Sequence, residues 1–167
     1  MTLDPFLHAP FIIQFHTVCA IYALVIGPVA LFSRRKGRWH RWAGRSWVLA
    51  MALTAVSAAF IFTIRVVGPF SPIHILVPVT LYGLWHGVSL IRKRKVAEHA
   101  QHMRGLYFGA MGVAGLFTLL PGRLMSEILS PGAPWAAFAV AAVVLIFGVW
   151  RAYRGELPLP RSATKGG

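Results

Sequence analysis

Five apolar stretches, at about 11–32, 46–67, 73–91, 105–125 and 134–150, divide the chain, and each is near the roughly 20 residues that a helix needs to cross a hydrocarbon core. Strands of a membrane barrel would alternate polar with apolar residues, and these runs do not. In lipid every backbone amide has to be satisfied within its own segment, so the runs are read as helices. The expected fold is all-α: a polytopic transmembrane bundle of five spans, the first four an antiparallel core and the fifth packed at its edge. Residues 1–150 form one transmembrane domain, and 151–167 a disordered tail rich in proline and glycine. Composition agrees, since 57% of residues are apolar and 13% charged, about half the charge of a water-soluble domain.

The net charge of +13 raises the question of nucleic acid until the basic residues are located. Fifteen of the 17 lysines and arginines fall in 33–45, 92–104 and the tail from Arg151, directly against apolar runs. That distribution is topological. Basic residues next to spans stay on the cytoplasmic side, so the N-terminus is expected outside and the C-terminus in the cytoplasm, the chain lying in an inner (plasma) membrane. The expected surroundings are lipid, anionic lipid included, with no nucleic acid. Met1-Thr2-Leu3-Asp4 has no basic n-region, so the first helix is expected to be retained. Cys19 is the single cysteine and forms no intrachain disulfide.

Seven histidines are the main functional signal, because an ionisable ligating side chain inside a span is expensive. His16 and His74 belong to the outer half by depth, and His40, His86, His99 and His102 to the inner half. Histidines at two levels on antiparallel helices are the pattern that holds two b-type haems across a bilayer. Arg65 and Arg123, near outer helix ends, can pair with haem propionates, or can snorkel to headgroups, with Arg123 also four residues before Glu127. Gly105, Gly109, Gly112 and Gly115 strip one helix of bulk, for a macrocycle or for another helix. Pro78, four residues after His74, is expected to release the His74 carbonyl from the helical ladder.

His99-Ala100-Gln101-His102-Met103 forms a second constellation, with His40 as a third metal-ligand candidate beside His99 and His102. The alternative is a set of solvated loop histidines. No HExxH, CxxC, P-loop or nucleophile-elbow pattern is present. Four acidic residues in the whole chain argue against a two-carboxylate hydrolase.

His40-Arg41-Trp42-Ala43-Gly44-Arg45, the run His99-Ala100-Gln101-His102-Met103-Arg104 leading into Tyr107, and Pro121-Gly122-Arg123 together resemble the bacterial predicted-membrane-protein family known as domain of unknown function 2306. The resemblance covers about 12–125 and brings no established activity with it. More distantly, the architecture is similar to the membrane di-haem cytochromes b, although His40, His99 and His102 sit at helix entrances rather than deep in spans. Three functions follow as expectations. The leading one is a haem b-binding electron-transfer protein, with His16 and His74 as outer ligands and His86 with His99 or His102 as inner ones. The second is a metal-binding or small-molecule transport module, and the third a non-enzymatic accessory subunit of a larger membrane complex or a homo-oligomer.

Overall fold

The computed structural model describes residues 4–32, 37–61, 72–120, 126, 128 and 134–153. Every regular element among the described residues is helical. A single turn, α1 (Asp4–Leu7), precedes α2 (Phe11–Phe32) and α3 (Arg38–Ala58). A 3₁₀ turn, Pro72–Ile75, leads into α4 (Leu76–Arg92). Next, α5 (Val96–Leu106) passes through a wide π-turn at Tyr107–Met111 into α6 (Gly112–Thr118), and α7 (Pro134–Tyr153) follows. Packing follows chain order, α2 on α3, α3 on α4 and α4 on α5, with α6 and the π-turn against α7. Contacts between α5 and α2 bring the fourth of these helices back to the first.

Among the described residues, α2 is the helix long and apolar enough to cross a membrane by length and composition; the apolar part of α7, Trp135–Trp150, is shorter. The 22 residues of α2 rise about 33 Å. Apolar runs and helices do not share their boundaries elsewhere. Helix α3 begins at Arg38, eight residues before the apolar run at 46, because arginine is a good helix former and nothing between Gly37 and Ser46 breaks the ladder. The far end of that expected span, and that of 105–125, run into residues outside those described. Pro78 is the third residue of α4, where the backbone N–H has no intrahelical partner in any case. His74 lies ahead of α4 in the 3₁₀ turn, so the expected release of its carbonyl by Pro78 does not apply.

The core is built from small residues around one large one. Ala23 and Ala30 of α2, Ala43 and Ala50 of α3, and Ala110 of the π-turn are buried with Met51, Leu84, Met103 and Leu106 around Trp47, which is 1% exposed. Lipid tails are as apolar as these side chains, so within a bilayer the association gains mainly from close packing, which small residues allow. Gly27 shows how close that approach is. A Cβ there would collide with the ring of Tyr107 and lie 3.0 Å from the Trp47 Nε1. The glycines singled out from sequence behave differently: a Cβ on Gly105, Gly109 or Gly115 would meet nothing within 4 Å, and of that strip only Gly112 packs, against Leu145 of α7.

Candidate functional site

Helices α4 and α5 form a tight antiparallel hairpin, closed by Lys93, Arg94 and Lys95. Arg94 takes a left-handed conformation (φ 60°). The Arg94 N–H bonds the Ile91 carbonyl and the Lys95 N–H reaches back to the Leu90 carbonyl, both at 3.0 Å. This is the Schellman closure, in which a left-handed residue just beyond the helix lets the next amides cap its last carbonyls. The turn fixes the register of everything that follows on α5.

In that register two glycines one turn apart on α4 face two histidines of α5. His102 Nε2 donates to the Gly83 carbonyl and His99 Nδ1 to the Gly87 carbonyl, each at 2.8 Å. A carbonyl has a second lone pair beyond its own helical bond, and it can only accept. The bonded ring nitrogens therefore carry protons, and in the neutral imidazoles the opposite nitrogens, Nδ1 of His102 and Nε2 of His99, hold the lone pairs. Glycine makes the carbonyls reachable, since a Cβ on Gly83 would lie 2.7 Å from Leu106 Cδ1 and one on Gly87 2.9 Å from Met103 Sδ and 3.1 Å from His102 Cδ2. The Gly83-x-x-x-Gly87 pattern in an apolar helix is a packing signal readable from sequence, though less conspicuous there than the longer glycine strip of 105–115.

His86 completes the group. Its ring lies 4.8 Å from that of His102, centre to centre, at an angle of 51°, and 6.1 Å from that of Tyr82, one turn earlier on α4. Ser89 Oγ donates to the His86 carbonyl, and the imidazole itself is half-buried.

The remaining candidates are placed apart from this cluster. His40, on α3, bonds through Nδ1 to the Ala30 carbonyl of α2 at 2.9 Å. His16, on α2, is 3.0 Å from Ser57 Oγ of α3, whose hydroxyl proton goes to the Thr54 carbonyl; His16 Nδ1 is therefore the donor. His74 is half-buried in the 3₁₀ turn. Arg65 and Arg123 lie outside the described residues. Among the described residues no three His, Cys, Asp or Glu side chains gather as a metal ion would require.

One side chain that the sequence gave no reason to single out is Arg104. It is 9% exposed, between Met103 and the π-turn, and its Nε has no hydrogen-bond partner. Among the described residues the one ion pair is Lys95–Glu98, an exposed i, i+3 contact at 3.1 Å, and no carboxylate is paired with Arg104. Burying a guanidinium without a counter-charge is costly, so this group marks where negative charge would be most favoured. Its detection needed the packing, because Arg104 belongs to a segment that reads as a basic, solvated loop.

A family model described as "Predicted membrane protein (DUF2306)" matches residues 13–149. No curated protein and no solved structure matches the chain.

Proposed function

We propose, on the premise that the chain belongs to the DUF2306 family of predicted membrane proteins, that it is a multi-pass membrane protein that binds haem b for electron transfer. The five spans, the N-terminus outside and the inner-membrane location are part of this reading, supported by the apolar runs and by the placement of the basic residues. The observation that carries the haem assignment is Arg104. A buried guanidinium on the same helix as His99 and His102, with no carboxylate partner among the described residues, complements an anionic iron porphyrin with its propionates, and opposes a bare divalent cation. The imidazoles suit the role as well, since a ligand histidine typically donates its other ring nitrogen to a carbonyl or similar group. His99, with Nδ1 on the Gly87 carbonyl, keeps Nε2 for iron.

The ligand pair proposed is His86 with His99. His102, whose ring is 4.8 Å from that of His86, has its Nε2 committed to the Gly83 carbonyl, so His86 and His99 are the residues that would hold the group. His16, with Nδ1 on Ser57, is the outer candidate, with His74 as its proposed partner. Haem would supply one-electron chemistry, and the chain would orient the imidazoles, offset the propionate charge and exclude water.

The test is the visible spectrum of the full chain purified after haem-supplemented expression. Soret and alpha bands in dithionite are expected, with loss of the inner component in His86→Ala and His99→Ala and its retention in His40→Ala. A colourless preparation would sink the assignment. A second reading is favoured by the short His86–His102 spacing and by Met103 sulfur at the same glycine, a nitrogen and thioether set that suits copper. Copper co-purifying at one equivalent without haem would select it.

A further inference from the structure

The outward face of α3 carries a pattern that the histidine site does not use. Arg38, Arg41, Trp42, Arg45, Ser46 and Leu49 line an open groove of about 450 Å³ along one side of the helix. Their spacing of three and four residues keeps them within one sector of the helix, opposite buried Ala43, Trp47 and Ala50. The three arginines are exposed, and among the described residues none is paired with a carboxylate. Trp42 lies between them with its ring exposed, edge-on to Trp39.

Beyond Leu49 the same face turns wholly apolar while remaining exposed, through Leu53 and Val56. The rise from Arg45 to Val56 is about 16 Å, close to half of a hydrocarbon core about 30 Å thick. A cationic groove flanked by tryptophan, continuous with one leaflet's depth of exposed apolar surface, matches the two ends of a single phospholipid. We infer that this face is a binding site for an anionic phospholipid, its phosphate held by Arg38, Arg41 and Arg45 and one acyl chain lying along Leu49, Leu53 and Val56. The guanidinium fork is suited to a phosphate, and an indole at headgroup level is stable with one side apolar and the other wet. The inference is independent of haem, because none of these residues belongs to the histidine cluster.

The test uses the full chain, equilibrated with mixed phosphatidylcholine and phosphatidylglycerol and then exchanged into detergent, with retained lipid identified by native mass spectrometry. Phosphatidylglycerol should be retained in preference to phosphatidylcholine. The triple variant Arg38→Gln, Arg41→Gln, Arg45→Gln should lose that preference by about fivefold per arginine. Neutralising the same number of charges on the α4–α5 turn, by Arg92→Gln, Lys93→Gln and Arg94→Gln, should leave it intact. Equal loss in the two triples would mean diffuse surface charge and would overturn the proposal. Displacement of the lipid by inorganic phosphate would overturn it too, by making free phosphate the ligand. A further readout does not depend on the arginine variants: phosphatidylglycerol with brominated acyl chains should quench a component of tryptophan emission that Trp42→Phe removes, and no such component would exclude this groove.

Discussion

The hydroxyl of Tyr107 donates a 3.0 Å hydrogen bond to the carbonyl of Leu24, 83 positions earlier in the chain. Leu24 is four residues before Pro28, which lies inside α2 and has no N–H to return to that carbonyl. A bond lost within one helix is thus made good from another, and the donor ring reaches its acceptor over Gly27.

That exchange predicts coupling. Tyr107→Phe should cost about 1 kcal/mol, the usual worth of an interhelical hydrogen bond in a membrane bundle. In a Pro28→Ala background the helix supplies its own donor, and the same change should cost close to nothing. Unfolding in mixed micelles of the four proteins of this cycle measures it; identical costs in both backgrounds would remove the compensation.

Glycines should separate into two classes. Gly27→Ala drives a methyl into the anchored Tyr107 ring beside Trp47, and should destabilise by about 1–3 kcal/mol. Gly105→Ala adds a methyl to open space within α5 and should stabilise by up to about 1 kcal/mol through helix propensity. Thermal melts in detergent give the sign of each, and a neutral Gly27→Ala would contradict the packing described for that seam.

Arg94 carries a backbone conformation that costs a residue with a Cβ about 1 kcal/mol and glycine almost nothing. Arg94→Gly should therefore raise the melting temperature of the α4–α5 hairpin, and Arg94→Val should lower it. The same ranking at Lys93, whose φ is −80°, is not expected.

Arg104→Met separates charge from packing. Removing a buried cation that has no carboxylate partner among the described residues, while keeping its approximate volume, should stabilise the haem-free protein by about 1 kcal/mol. The same change should weaken binding of an anionic cofactor. A variant both less stable without haem and unchanged in haem affinity would show that Arg104 has a purely structural role.

Hydropathy made the helices legible, and α2 and α7 begin and end within a few residues of the runs that announce them. It failed at Arg38 and Val96, where helices start well before their apolar stretches, because hydropathy reports the preferred solvent and not whether the backbone ladder continues. The histidine pairings were out of reach for another reason. Which of His99 and His102 meets Gly83 depends on how Arg94 closes the turn, and a left-handed arginine is not a signal that composition carries. His86, a candidate by depth alone, lies with its ring 4.8 Å from that of His102, while Arg104 was hidden among basic neighbours whose side chains are exposed.

The π-turn at Tyr107–Met111 holds one more residue per turn than the helix on either side. Side chains beyond it are consequently rotated by about 100° from where an uninterrupted helix would aim them. This angular step decides that Gly112 meets Leu145 while Tyr107 still meets α2. Two partners on different azimuths are served by one continuous rod, and removal of a single residue from that turn would let it keep only one of them.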